Sequence, residues 1–313
     1  MSRIFVAGAT GVLGRRAVAR LVAAGHDVTG IARTTPKQTE LERLGATPVT
    51  VDLFDPAALT AAVTGHDIVC NLATAIPVGD EAAGPSAWAV NDRIRREGAR
   101  HLADAALAGG ARRYVQESIA LLYADGGDDL LEEDAPLSPT AITGSALAAE
   151  GTAASFAEHG GAGIVLRFGM FYGPDSGHTI EAIEATRAGR PAEVGPAGAY
   201  RSPVTTDDAA SAVVAALGVP SGIYNVVDDR PLPRREYVDA LARALGVAPP
   251  VPPSLDVPLP PGYAPLAWSQ RVSNARFREA TAWRPGSPSA GEGWHAVVDG
   301  WRSRLAVDEA NVA

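Results

Sequence analysis

The sequence predicts an α/β fold with a doubly wound parallel sheet, because strand-like and helix-like patterns alternate through the first half of the chain. The strand-like runs are mostly continuous in apolar residues, which is typical of strands covered by helices on both faces. The predicted strands are residues 4–7, 27–32, 47–51, 67–72, 113–116 and 163–168. The predicted helices include residues 14–24, 88–107 and 146–158.

A glycine-rich loop follows the first predicted strand and precedes the first predicted helix. It is Gly8-Ala9-Thr10-Gly11-Val12-Leu13-Gly14. Glycines allow a tight turn and a close approach of backbone to a pyrophosphate, and the helix N-terminus adds the positive end of its dipole. A glycine turn without a ligand is the alternative, but the flanking strand and helix favour a nucleotide-binding loop. We therefore predict a Rossmann-type fold that binds a dinucleotide through Gly8, Thr10, Gly11, Val12 and Leu13.

The regular alternation stops after Phe168, where a turn-rich segment begins. Further helices are predicted at residues 180–188, 209–217 and 234–245, and a strand at 223–227. We interpret this half as a smaller, interleaved C-terminal substrate domain. The predicted dinucleotide-binding domain comprises residues 1–167 with 203–218 returning to it, and the substrate domain comprises 168–202 and 219–313.

Composition excludes several classes of function. The 313-residue chain has a net charge of −9, so it lacks the basic excess that would neutralise nucleic-acid phosphates. A single cysteine, Cys70, excludes an internal disulfide, and the six histidines show no metal-ligand spacing, so we expect no metal. No apolar run is long enough to span a bilayer. We expect a cytoplasmic protein that binds neither nucleic acid nor membrane, and its oligomeric state stays open.

Several segments resemble the extended type of the short-chain dehydrogenase/reductase family, which includes NDP-sugar epimerases and dehydratases. The glycine loop resembles that family's T-G-x-x-G-x-x-G form. Similar segments follow in the family's order: Val51-Asp52-Leu53, Asn71-Leu72-Ala73-Thr74, Val90-Asn91, Leu166-Arg167-Phe168-Gly169 and Gly222-Ile223-Tyr224-Asn225-Val226. The resemblance implies a nicotinamide dinucleotide cofactor in contact with Asp52, Leu53, Leu72, Ala73, Thr74, Phe168 and Gly169.

The end of the second predicted strand indicates which dinucleotide binds. NAD-binding domains place a carboxylate there, which bonds the ribose 2′-hydroxyl. Here the strand is followed by Arg33, and Lys37 stands four residues later. A guanidinium can grip a 2′-phosphate in bidentate fashion. We predict NADP(H); the alternative is that both cations are solvated surface charges.

The family's catalytic pair is missing. The resemblance implies a Tyr-x-x-x-Lys motif in which lysine lowers the tyrosine pKa and tyrosine transfers the proton. Ile142 and Ala146 occupy these two positions. The motif cannot lie elsewhere, because Lys37 is the only lysine in the sequence and Arg33 stands four residues before it. Ser118 is a candidate for the family's catalytic serine; a strand-end serine bonded to backbone is the alternative.

Two classes of function fit a dinucleotide loop without this pair. The first is an atypical NADPH-dependent ketoreductase that acts on a small aromatic or polyketide ketone, in which substrate or water stabilises the alkoxide. Such an enzyme suits bacterial antibiotic biosynthesis. The second is a non-catalytic, redox-sensing NADP(H)-binding regulator. A sugar epimerase or dehydratase fits less well, because both the acid and the base are gone.

Other segments offer further candidates. His178, Tyr123 and Tyr172 could each donate a proton, whereas a surface histidine and two core tyrosines are the simpler interpretation. The strip of residues 253–268 is rich in proline, carries little charge and contains Tyr263 and Trp268. We interpret this strip as a lid over an apolar ligand or as a plain connector.

Overall fold

The central element of the fold is one parallel sheet of seven strands. The computed structural model describes residues 1–79, 86–251, 259 and 262–312, with side chains up to residue 307. The sheet strands are β1 (Arg3–Ala7), β2 (Asp27–Ile31), β3 (Thr47–Val49), β4 (Ile68–Asn71), β5 (Arg113–Ile119), β7 (Ala162–Phe168) and β11 (Gly222–Val226). Their order across the sheet is β11-β7-β5-β4-β1-β2-β3. The order reverses beside β1, so the chain winds outward in both directions.

Helices cover both faces of this sheet. The helices are α1 (Val12–Ala23), α2 (Thr35–Arg43), α3 (Pro56–Val63), α4 (Ala89–Arg93), α5 (Ala99–Ala108), α6 (Gly144–Glu158), α7 (Gly177–Arg187), α8 (Thr206–Ala215), α9 (Arg234–Leu245), α10 (Ala275–Thr281) and α11 (Ala290–Val312). One apolar core lies between the sheet and α1, α2 and α8, and a second lies between the opposite face and α3, α5 and α6. The doubly wound α/β fold is thereby confirmed.

The predicted helix over residues 88–107 is interrupted. The structure has α4, then a π-helical turn over Ile94–Gly98, then α5. Arg95 and Gly98 on this turn are buried. Hydrophobic spacing cannot reveal such a turn, because it adds a single residue to an otherwise helical pattern. π-Helical turns inside α-helices occur frequently at functional sites.

Outside the central sheet, the described chain also forms three short two-stranded pairings. The remaining strands are β6 (Leu130–Leu131), β8 (Met170–Tyr172), β9 (Tyr200–Arg201), β10 (Pro203–Thr205), β12 (Leu232–Pro233) and β13 (Arg271–Val272). Strand β8 pairs with β10, β9 with β12, and β6 with β13. A separate apolar core joins α7, α9 and α11 around Tyr237 and Trp294.

The predicted domain division needs one correction. It assigned residues 219–313 to the substrate domain, yet β11 pairs in parallel with β7 at the edge of the central sheet. The physical reason is that the Gly222–Val226 strand is apolar enough to be buried, and β7 offers it an unpaired edge. The rest of the division stays a prediction.

Asp228, two residues after the end of β11, supports a prediction about stability and pH. Its side chain is buried, Tyr172 donates a hydrogen bond to Oδ2 at 3.1 Å, and Oδ1 has no partner among the described residues. Burial raises the pKa of Asp228 well above the usual carboxyl value, and the neighbouring Asp208 acts in the same direction. Between the ordinary carboxyl pKa and the raised pKa of Asp228, the folded protein holds a proton that the unfolded chain has released. The free energy of unfolding therefore falls as pH rises through this range.

We expect Asp228→Asn to remove this loss, because the amide is neutral at every pH and its oxygen still accepts from Tyr172. The melting temperature of the variant should exceed that of the wild type at pH about 8, by about 1–2 °C for each kcal/mol in a chain of this length, and the difference should shrink at pH about 5. Asp299→Asn, at a largely exposed carboxyl on α11, is the control. An identical difference at both pH values would contradict a buried, protonated Asp228.

Candidate active site

The glycine loop joins the end of β1 to the start of α1, and its backbone packs too closely to admit side chains. Gly8 has φ +76°, and a Cβ on it would lie 2.5 Å from the carbonyl carbon of Leu72. A Cβ on Gly14 would lie 1.9 Å from the oxygen of Gly8. Gly11 precedes α1, and no side chain caps that helix. The loop thus leaves the free N–H groups of the helix N-terminus open to an anion such as a pyrophosphate.

The other predicted cofactor residues lie at the carboxyl ends of neighbouring strands. Leu72 and Ala73 follow β4 and are buried directly behind Gly8, and Thr74 beyond them is exposed. Parallel strands β1 and β4 end side by side, with Ala7 opposite Asn71. Ligands of open α/β sheets bind at this edge. The structure therefore brings the glycine loop and the β4 segment together.

The remaining residues of the predicted cofactor set lie further along the same edge. Asp52 is exposed, and its Oδ1 accepts a hydrogen bond from the Phe54 amide at 3.0 Å, which shapes the turn that carries Leu53. Phe168 ends β7 and is buried, and a Cβ on Gly169 would lie 2.1 Å from the oxygen of Ser202. Their contact with a cofactor stays a prediction.

Arg33 stands in the short connection between β2 and α2, on the exposed surface. It forms no hydrogen bond or ion pair with any described residue. Lys37, in α2, is also exposed and unpaired among those residues. Free cations at the end of the second strand are available to a 2′-phosphate, and no carboxylate there would repel it.

The two positions that the resemblance assigns to the catalytic pair are apolar and buried. Ile142 is 6% exposed and Ala146 is fully buried near the start of α6. Neither side chain can exchange a proton. The chain therefore provides no acid or base at these two positions.

Ser118 lies near the end of β5 and points into a buried network. Its hydroxyl donates to Glu150 at 2.6 Å, and Glu150 accepts two hydrogen bonds of 2.8 Å from Arg167. The serine is fully buried, and its hydroxyl already serves to hold Glu150. This bonding favours a structural role, and a catalytic role for Ser118 stays an untested prediction.

The alternative proton donors occupy positions that suit structure better than catalysis. Tyr123 is fully buried, donates to Asn225 at 2.8 Å and accepts from Arg167 at 3.0 Å. Tyr172 donates to Asp228, and burial raises its pKa. His178 is exposed beside Glu181, at 3.7 Å.

The described end of the 253–268 strip contacts the segment that carries Ile142. Trp88 Nε1 donates to the Tyr263 hydroxyl at 2.7 Å, and Thr140 Oγ1 donates to the Gly262 carbonyl at 2.8 Å. A Cβ on Gly262 would lie 3.7 Å from Ile142. Residues 253–258, 260 and 261 lie outside the described residues, so the lid itself stays a hypothesis.

A buried ion pair at this edge was not among the sequence-based candidates. Arg95 Nη2 donates to both oxygens of Glu117, at 2.8 and 3.0 Å, and both side chains are closed to solvent. Burial raises the pKa of Glu117, and the nearby Arg95 opposes that shift. The available signal was a glutamate in the interior of a predicted strand, in Tyr114-Val115-Gln116-Glu117.

Two negative findings concern the described residues alone. Within the ranges 1–79, 86–251, 259 and 262–312, no helix is long and apolar enough to cross a bilayer. In the same part of the chain, no group of three His, Cys, Asp or Glu side chains is placed to hold a metal ion.

Comparisons with known proteins identify relatives over nearly the whole chain. Residues 4–226 match the NAD dependent epimerase/dehydratase family. A Streptomyces protein named 3-diazoavenalumate denitrifying reductase is 36% identical over 311 residues, which cover 93% of this chain and 98% of the relative. A 2-alkyl-3-oxoalkanoate reductase of Shewanella oneidensis is 46% identical over 74 residues, 24% of this chain and 19% of the relative.

Solved structures show the same fold. UDP-glucose 4-epimerase of Thermus thermophilus, in complex with NAD, has a TM-score of 0.78 at 26% identity over 96% of this chain and 99% of that one. MoeE5, in complex with UDP-glucuronic acid and NAD, has a TM-score of 0.76 at 22% identity over 96% of this chain and 99% of that one.

The glycine cradle, which a Cβ would fill, fits a nicotinamide dinucleotide, and that cofactor is also present in these neighbours. The family match spans more than half of the chain, and the Streptomyces reductase matches nearly all of it. The chain therefore belongs to the NAD dependent epimerase/dehydratase family, the extended short-chain dehydrogenases/reductases, and has an oxidoreductase homologue over nearly its whole length.

Proposed function

We propose that this chain is an NADPH-dependent reductase that acts on an aromatic acceptor without a protein proton donor. The observation that carries the proposal is the burial of two apolar side chains, Ile142 and Ala146, at the catalytic positions. The bound dinucleotide supplies a hydride. Ile142 and Ala146 present no polar group to the acceptor, and Arg33 would favour the phosphorylated cofactor.

An aromatic diazonium group is the acceptor that best matches this site. The Streptomyces relative is named for removing nitrogen from a diazo compound by reduction. When a hydride adds to the ring carbon of an arenediazonium ion, its electron pair forms the new C–H bond. The C–N bond breaks, and its electron pair leaves with dinitrogen. The ring is reduced by two electrons and no proton is transferred. The reaction therefore needs no proton donor at the positions of the tyrosine and lysine.

An aromatic ketone, including a polyketide, is the second candidate acceptor. Hydride addition to a carbonyl gives an alkoxide, which must then gain a proton. With no acid at Ile142, that proton must come from water or from a neighbouring phenol of the substrate. The loss of the catalytic pair therefore permits ketone reduction and favours ketones that carry such a phenol.

Two other functions are less well supported by the site. Sugar epimerases and dehydratases require an acid and a base on unactivated carbons, and the catalytic positions provide neither. A redox-sensing regulator needs the dinucleotide loop alone. Tyr263 bonds Trp88, and the adjoining Gly262 lies near Ile142, which supports a substrate-binding surface that a regulator would not require.

The decisive experiment follows NADPH oxidation with a panel of hydroxylated arenediazonium ions and aromatic ketones. We expect diazonium-dependent oxidation with equimolar dinitrogen release, and deuterium from (4-²H)NADPH on the ring carbon that carried nitrogen. Reactions without protein, and with Gly14→Ala, correct for direct reduction in solution. Deuterium on a carbinol carbon would select the ketone instead. Tight NADPH binding without turnover of either class would overturn the reductase and favour the regulator.

A further inference from the structure

Arg95 is an interior cation with unused hydrogen-bond donors. It lies on the π-helical turn between α4 and α5 and is 1% exposed. Its Nη2 alone contacts Glu117. Nε and Nη1 are closed to solvent and have no hydrogen-bond partner among the described residues.

Two further buried polar groups near this turn also lack partners. Asn91, one helical turn before Arg95, accepts a hydrogen bond from the Ala75 amide at 3.1 Å, yet its Nδ2 has no partner in the described ranges. The Oγ of Ser145, in the first turn of α6, has no described partner either. The π-helical turn packs against α6, so these groups belong to neighbouring elements.

These elements meet at the cofactor edge of the sheet. Ala75 belongs to the segment that follows β4 and runs past the glycine loop, and Glu117 lies near the carboxyl end of β5. Strands β4 and β5 are adjacent and parallel, with Asn71 opposite Gln116. Ser145 is followed directly by Ala146, where the family's lysine is missing. The unused donors are therefore located beside the candidate site.

Leaving such groups unpaired is expensive. A buried donor without a partner destabilises the fold, and more so when it is charged. A buried ion pair offsets its desolvation only when its remaining donors are also satisfied. Each unpaired buried group in a native protein needs an explanation, and a bound group, an ion or an ordered water is one of these.

We propose that Arg95 replaces the missing lysine from a neighbouring helix and binds an oxygen of the ligand in the active site through Nε or Nη1. Glu117 holds the guanidinium, and Asn91 adds a second donor. The shared chemistry is a hydrogen-bond-accepting oxygen, which is either a nicotinamide-ribose hydroxyl of the cofactor or a phenolic or carboxylate oxygen of the substrate. This inference rests on the proposed function.

The test uses two variants, because loss of one charge from a buried pair can prevent folding. The double variant Arg95→Gln/Glu117→Gln replaces the ion pair with two neutral amides that can still hydrogen-bond to each other. The variant Arg95→Lys keeps the positive charge but lacks the several N–H donors of the planar guanidinium group. Arg96→Gln is the matched control, since Arg96 lies on the same turn but is exposed. Thermal melting establishes that each variant is folded. NADPH affinity is measured by fluorescence titration, which needs no turnover, and KM and kcat are measured with the accepted substrate.

If the oxygen belongs to the cofactor, we expect NADPH affinity to fall about tenfold to a hundredfold in the double variant, with a smaller loss in Arg95→Lys. If it belongs to the substrate, KM should rise by a similar factor while NADPH affinity is unchanged. A folded double variant with wild-type NADPH affinity, KM and kcat would overturn the inference. That result would not affect the proposed reductase function. Conversely, a wild-type protein that binds NADPH but turns over no substrate would contradict the reductase function, and the effect of Arg95 on NADPH affinity could still be measured.

Discussion

Replacement of Gly14 by alanine is expected to abolish measurable NADPH binding and to destabilise the fold. The added Cβ would lie 1.9 Å from the oxygen of Gly8 and 2.8 Å from its carbonyl carbon, distances that no real contact allows. Helix α1 must therefore move away from β1, or the loop must open. Overpacking of this kind costs on the order of 3 kcal/mol, and it displaces the N–H groups at the start of α1.

The measurement is a pair of experiments on the purified variant: chemical unfolding, and NADPH titration under conditions where the variant is folded. We expect affinity to fall by more than about a hundredfold, because the backbone groups that meet the pyrophosphate are displaced. Gly151→Ala is the matched control. A Cβ at this exposed position in α6 meets nothing within 4 Å, so alanine should stabilise the helix by about 1 kcal/mol and leave binding unchanged. Wild-type binding by a folded Gly14→Ala protein would refute the assignment of the loop.

The second large effect concerns Arg33. Arg33→Ala should weaken NADPH binding about tenfold to a hundredfold and leave NADH binding nearly unchanged. The reason is that the 2′-phosphate loses a charge-assisted hydrogen bond worth about 1.5–3 kcal/mol, whereas NADH has no group there to lose. Because the side chain is exposed and has no partner among the described residues, the substitution disturbs no other contact and stability should not change.

The check is a comparison of dissociation constants for NADPH and NADH in the wild type, Arg33→Ala and Lys37→Ala. Lys37 is exposed on α2, and its point charge should contribute less than the fork of Arg33. The Arg33 effect should diminish at high salt because the site is open to solvent. An unchanged ratio of the two constants in Arg33→Ala would mean that the cofactor preference originates elsewhere.

Local sequence patterns were sufficient for the central fold. Continuous apolar runs such as residues 4–7 and 68–70 suit strands buried between two layers of helices, and the observed β1 and β4 lie in the middle of such a sheet. The glycine spacing required a tight strand-to-helix turn, and Gly8 adopts the positive φ that this turn needs. The strand at residues 223–227 was predicted but assigned to the substrate domain, whereas β11 belongs to the central sheet. Its place in the sheet depends on the free edge of β7, which the sequence does not reveal.

The candidate site was predictable only in part. The absence of the family's Tyr-x-x-x-Lys motif follows from the sequence, since the only lysine is Lys37 and Arg33 stands four residues before it. The proposed replacement of the lysine by Arg95 does not follow from the sequence. Arg95 is one of three arginines within four residues of helix, with Arg93 and Arg96, and nothing local distinguishes the buried one from its exposed neighbours.

The sequence by itself determined the parallel sheet, the dinucleotide loop and the loss of the tyrosine and lysine, because each depends on residue type and short-range spacing. Tertiary structure alone decided three further matters: that β11 completes the sheet, that Ser118 is engaged by Glu150, and that Arg95 turns inward to Glu117. Each of these joins elements distant in the chain, and each depends on burial. Burial arises only when the elements pack together. An unpaired charge or strand edge becomes energetically unfavourable only after the neighbouring elements have excluded water.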